Sequence, residues 1–160
     1  CGEFNDLEKD IIKNINSYCS CIDSINLNGY AFGFLNTKKF NNENDNSSVI
    51  YFNYFNYKFL FMGDAGIIRE KAILDIYKLD NIDFLKIGHH GSKTSSSKGF
   101  IDEIDPKYSI ISVGKNNRYG HPNKEVLNNL SNSKIYRTDQ NGSIMFKIKN
   151  NKLKIETCTP

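Results

Sequence analysis

The sequence predicts an α/β fold: a mixed sheet whose central strands run parallel and are flanked by helices. Two observations support this. The runs Lys58–Met62, Phe84–Ile87 and Tyr108–Val113 are short and apolar, and segments with helical features separate them. Turn formers and breakers then fall between the elements: Gly63-Asp64, Gly88, Pro106, Pro122 and Asn150-Asn151.

The elements follow in order. Leu7, Ile11, Ile12 and Ile15 share one side of an amphipathic helix over Asp6–Ser17. Cys19–Ile25 reads as a short strand, and Gly29–Leu35 as an aromatic second strand. The polar, Asn-rich stretch Thr37–Ser48 reads as a loop. Ser48–Asn53 and Lys58–Met62 form a hairpin around Asn53–Tyr57. Ile68, Ala72, Ile76 and Leu79 share one face of a helix over Ile67–Leu79. Phe84–Ile87 is the next strand. Ser97–Ile104 is a helix that Ser95 or Ser96 caps and Pro106 ends. Tyr108–Val113 is a strand. Pro122 opens a helix to about Leu130, at the first-turn position where a missing N–H costs nothing. Lys134–Arg137 is a strand, and Ser143–Lys149 pairs with Lys152–Thr157 around Asn150-Asn151.

Composition sets the bounds. The 160 residues are 39% hydrophobic and 24% charged, which suits a single domain over 1–160, whole or part of a larger one, and excludes a disordered chain. The net charge of +3 is mild and its lysines are scattered, so charge alone does not indicate nucleic acid. No apolar run approaches the roughly 20 residues that span a bilayer. The chain begins at Cys1, and it is read as a processed product or a fragment, with a lipidated N-terminal cysteine as the lesser alternative. Cys1, Cys19, Cys21 and Cys158 form no Cys-x-x-Cys pair, so free thiols are expected and a structural zinc site is not.

The chemistry concentrates at one sheet edge. Parallel strands joined by right-handed crossovers end on the same side. Asp64 follows the first such strand, His89 and His90 the second, and Arg118, Tyr119 and His121 the third. All three clusters should meet at the carboxyl edge, where open α/β sheets bind ligands. Asp64 is either a metal ligand or the cap of the helix from Ile67. On an extended backbone His89 and His90 point opposite ways, so one binds metal while the other faces substrate or packs. Ser92, Lys93 and Thr94 suit phosphate oxygens, or else form an ordinary polar loop. His121 is a proton donor or oxyanion contact, or else a helix cap.

A set of motifs then occurs in a telling order: Asn44-Asp45-Asn46-Ser47-Ser48-Val49, Phe61-Met62-Gly63-Asp64, Leu85-Lys86-Ile87-Gly88-His89-His90-Gly91-Ser92-Lys93-Thr94-Ser95, Tyr119-Gly120-His121-Pro122 and Arg137-Thr138-Asp139-Gln140-Asn141-Gly142. In these the chain resembles the metallo-β-lactamase-fold domain at the C-terminus of ComEC-type DNA-uptake proteins, and stand-alone hydrolases close to it. The resemblance is best over 44–157. It implies the second half of an αββα sandwich with a hydrolytic site for two divalent metal ions, zinc or manganese. In that frame Asp64 matches the bridging aspartate and His90 the last metal ligand. His89 faces the substrate and His121 lies near the scissile group, both as catalytic residues. Ser92, Lys93, Thr94 and Tyr119 contact substrate. The implied reaction is phosphodiester hydrolysis of a DNA strand. Alternatives are hydrolysis of envelope phosphodiesters, or a degenerate half-domain that binds an anion or a partner.

One departure from the family is large. Its His-x-His-x-Asp-His motif and a further single histidine are not present, and no histidine precedes His89. The expected partner is therefore the N-terminal half of the fold, without which this chain is inactive. The parent is expected to be bacterial and membrane-associated or extracytoplasmic, with membrane contact only through parts outside this chain.

Overall fold

A computed structural model describes residues 23–159. The helix expected over Asp6–Ser17, the start of the strand from Cys19, and Cys1, Cys19 and Cys21 lie outside them. Seven strands form one sheet in sequence order: β1 (Ser24–Leu27), β2 (Tyr30–Phe34), β3 (Ile50–Tyr54), β4 (Tyr57–Phe61), β5 (Phe84–Lys86), β6 (Tyr108–Ile111) and β7 (Lys134–Arg137). β1 to β4 pair antiparallel, and β4 to β7 pair parallel. The expected mixed α/β sheet is thus present, but its parallel strands β4–β7 fill one half and run out to the edge instead of forming the centre. β8 (Ser143–Lys149) and β9 (Lys152–Cys158) form a separate hairpin. Asn150 and Asn151 turn it, both at positive φ, a conformation asparagine tolerates.

The crossovers are α1 (Ile67–Leu74), α2 (Lys98–Ile104) and α3 (Lys124–Asn129), with a single turn, α4 (Thr138–Asn141), after β7. Alternation along each strand splits the sheet into two unlike faces. Leu60, Leu85 and Ile111 lie in the buried core with Ile73, Phe100, Ile104 and Val126 of the helices. The other face carries an aromatic row in register across five strands: Phe32, Phe52, Phe59, Phe84 and Tyr108. Adjacent ring centroids lie 4.6–5.2 Å apart. The hairpin covers one end of this row, where Phe146 meets Phe84 edge-on at 4.7 Å. Phe61, on the same face, stays 42% exposed.

Three expectations need correction. The helix from Ile67 ends at Leu74, and Ile68 and Ile76 face solvent. Its buried side chains are Arg69, Glu70 and Ile73. Apolar spacing misreads this helix because two buried ionic groups serve loop backbone. Arg69 bonds Thr37 Oγ1 and donates to the Leu35 carbonyl at 3.0 Å, pinning the segment before β3. Glu70 accepts from the backbone N–H groups of Ser96 and Ser97 and from Ser97 Oγ.

Glu70 thereby supplants the expected serine cap of α2, whose Ncap residue is Ser97. Ser95 Oγ instead donates to the Gly88 and Ser92 carbonyls. Finally, Pro122 precedes α3 rather than opening it; Asn123 is the cap, accepting from the Glu125 N–H at 2.9 Å. Among the described residues no helix is long and apolar enough to cross a membrane.

Candidate functional site

The carboxyl ends of β4, β5 and β6 lie at one edge, and the three predicted clusters converge there. After β4 the chain turns through Gly63 at φ +56, and the Asp64 N–H bonds Ser47 Oγ at 3.1 Å. Asp64 is not a cap, since Gly66 holds that position for α1. The Gly66 N–H donates to buried Asp45 at 3.0 Å. A side chain at Gly66 would meet Asp45 Oδ1 and the Thr94 carbonyl, both at 2.9 Å. Glycine here lets three loops close on one another.

The histidine pair does not extend β5. Gly88–Gly91 forms a tight turn, with His89 at φ 44 and His90 at φ 56. Alternation on an extended strand therefore does not set their directions. The turn is tied down on both sides. The His89 N–H donates to the Gly63 carbonyl at 3.0 Å, and a side chain at Gly88 would lie 2.7 Å from the Ala65 carbonyl. The two rings sit 6.5 Å apart and inclined at 62°.

His90 has a defined role in hydrogen bonding. Its Nδ1 lies 2.7 Å from the Ser112 carbonyl. A carbonyl only accepts, so Nδ1 carries the proton and the lone pair of the neutral ring sits on Nε2. That Nε2 lies 3.8 Å from Asp64 Oδ1. The gap is too long for a hydrogen bond. It falls within the reach of two metal–ligand bonds of about 2.0–2.2 Å each. Both side chains are about half exposed. Among the described residues no group of three His, Cys, Asp or Glu side chains is placed to hold a metal ion. In donor type and spacing Asp64 and His90 could hold a divalent cation, and two donors alone do not complete a site.

His89 faces the other way, with Nδ1 3.5 Å from Thr94 Oγ1. Its ring lies 6.1 Å from that of His121. Two clefts flank the turn. One, of about 480 Å³, is lined by Asp64, His89, Lys93 and Thr94. The other, of about 440 Å³, is lined by His90, Asn117, Tyr119 and His121. Lys93 and Thr94 are exposed in the first, whereas Ser92 is buried and its hydroxyl pairs with Thr94 Oγ1 at 3.0 Å. Ser92 holds the turn's shape and leaves the surface to its neighbours.

His121 is held by a residue the sequence reading passes over. The Asn117 side chain accepts from the His121 N–H at 2.9 Å and donates to its carbonyl at 2.8 Å. Asn123 N–H donates to the Gly91 carbonyl at 2.8 Å, tying this loop to the histidine turn. Gly91 sits at φ +79, and a side chain there would lie 2.7 Å from Pro122 Cβ. Alanine at Gly91 is expected to cost about 2 kcal/mol, measured by chemical denaturation, because left-handed backbone alone costs an L-residue about 1–2 kcal/mol.

Burial, then the neighbouring His89 and His90, push the His121 pKa below its ordinary 6.5. Between that lowered value and 6.5 the unfolded chain binds more protons, so stability falls as the pH drops through this window. An NMR titration of the metal-free protein should place the His121 midpoint below 6.5. Lys86 was also missed. It ends β5, its Nζ donates to the Ile87 carbonyl at 3.0 Å, and burial lowers its pKa while Asp64 opposes that. The available signal was a cation interrupting an apolar strand just before the histidines.

This chain is similar to segments of three much longer proteins. It is 39% identical over 110 residues to ComE operon protein 3 of Bacillus subtilis (strain 168), covering 68% of the chain and 14% of that relative. It is 31% identical over 116 residues to recombination protein 2 of Haemophilus influenzae, covering 71% of the chain and 14% of the relative. Its homologues are competence and recombination proteins. Competence protein ComA of Neisseria gonorrhoeae is a third, 36% identical over 91 residues, with 54% of the chain and 13% of the relative aligned. No protein-family model matches the chain. It spans about one seventh of the length of these relatives.

Proposed function

We propose that this chain is one wall of a metal-dependent phosphodiesterase site that cuts a DNA strand during uptake, within a larger protein of the ComEC type. The observation that carries this reading is the pairing of Asp64 with His90: a carboxylate and a correctly protonated imidazole, 3.8 Å apart. The competence homologues support the DNA substrate.

In this reading Asp64 and His90 would hold zinc or manganese, two ions in the complete site, together with ligands from elsewhere. Bound cations would polarise a phosphoryl oxygen and acidify an attacking water. The chain's own groups do the rest. Lys93 and Thr94 hold non-bridging phosphate oxygens, with Ser92 fixing Thr94. His89 faces the substrate from the same turn. His121, on the cleft that also holds His90, donates a proton to the leaving oxygen. The remaining ligands come from the N-terminal half of an αββα sandwich, and the membrane is met only by other parts of the protein. The aromatic sheet face supports a second layer, because Phe61 and its neighbours are incompletely covered by the β8–β9 hairpin.

The test is digestion of an end-labelled oligonucleotide by the full-length protein with manganese or zinc. Metal-dependent shortening, abolished by EDTA, is expected. A folded full-length protein that cuts no DNA with either metal defeats the proposal. Cleavage of an envelope phosphodiester instead would move the substrate.

A further inference from the structure

We infer that Tyr119 is a base-stacking platform that admits an unpaired nucleobase beside the site and so selects single-stranded DNA. This rests on the phosphodiester reading above and names the strand state it accepts.

Tyr119 is 68% exposed, the most exposed large side chain among the exposed hydrophobic residues described. A freely rotating surface tyrosine would signify little, but this ring is held. It lies nearly parallel to His121, with centroids 5.8 Å apart and planes inclined by 19°. Arg118 Nη2 donates to its hydroxyl at 2.9 Å. His121 is in turn clamped by both polar atoms of the Asn117 amide. An aromatic surface already fixed in place loses little rotamer entropy when a base stacks on it.

The surroundings match that use. The ring borders the cleft of about 440 Å³ that also contains His90, within the size range of small-ligand sites. The Arg118 guanidinium lies over the ring, 5.0 Å from its centroid, and brings positive charge to the platform for the backbone phosphate of a stacked nucleotide. Stacking accepts any base, so sequence preference should be weak. A paired base in a duplex keeps its faces against its neighbours and cannot offer one to Tyr119.

The experiment measures binding by the full-length protein in EDTA, so that no strand is cut. The probes are a fluorescent oligothymidylate of about 12 nucleotides, within the site sizes of such grooves, an abasic strand of the same length, and a duplex. The wild type should prefer the oligothymidylate to both other probes. Tyr119→Ala should weaken oligothymidylate binding about 5- to 150-fold, the range that base–aromatic stacking spans, and leave abasic binding unchanged. Tyr119→Phe should stay within about twofold of wild type, since the ring remains. Equal oligothymidylate binding by wild type and Tyr119→Ala, or equal binding of oligothymidylate and abasic strand by the wild type, overturns the platform. The expected binding pattern without metal-dependent cleavage would overturn the hydrolase reading and leave the platform standing.

Discussion

If the proposed site is hydrolytic, alanine at Asp64 should lower metal-dependent cleavage by the full-length protein about a thousand-fold or more, while the unfolding free energy barely changes. Metal assistance is worth several kcal/mol, and each 1.36 kcal/mol is about tenfold in rate. Asp64 is about half exposed, and its backbone N–H bond to Ser47 survives the substitution. His90→Ala should act similarly, because the Ser112 carbonyl orients only a ring that is present. Rate assays and denaturation on the same preparations separate chemistry from folding. Retained activity in both variants would favour a half-domain that binds without catalysing.

Glu70→Ala should destabilise the fold by about 3 kcal/mol. The carboxylate is buried and accepts two backbone N–H groups and the Ser97 hydroxyl. Each donor left buried without a partner costs about 1–3 kcal/mol, partly offset because a charge no longer has to be desolvated. That desolvation raises the Glu70 pKa above its ordinary 4.5, against the pull of its hydrogen bonds. The folded state therefore holds this proton longer than the unfolded one. Its contribution to stability falls as pH rises through that window and is lower at neutral pH than in acid. Glu70→Gln should lose less than alanine, since one acceptor oxygen remains. The difference in midpoint between the two variants in urea checks both statements.

The sheet was legible because its strands are short apolar runs that stop abruptly. Phe84–Lys86 gives way to glycine and histidine, and Tyr57–Phe61 is followed by Met62, Gly63 and Asp64. Once parallel order is inferred, chain topology alone brings Asp64, His90 and His121 to one edge. What escaped depends on contacts between distant loops. Helix spacing placed Ile68 and Ile76 inward, whereas Arg69 and Glu70 go inward because loop backbone groups satisfy them. The histidine turn was hidden because two consecutive non-glycine residues at positive φ are rarely expected. The clamp by Asn117 has no local signature, since an asparagine in a polar loop looks like any other.

Calorimetric titration with zinc or manganese tests the half-site most directly. The isolated chain should bind metal weakly, and Asp64→Ala or His90→Ala should abolish the heat, while the full-length protein binds two ions tightly. Two tight sites in the isolated chain would contradict the half-site, and so would a full-length protein that binds neither metal.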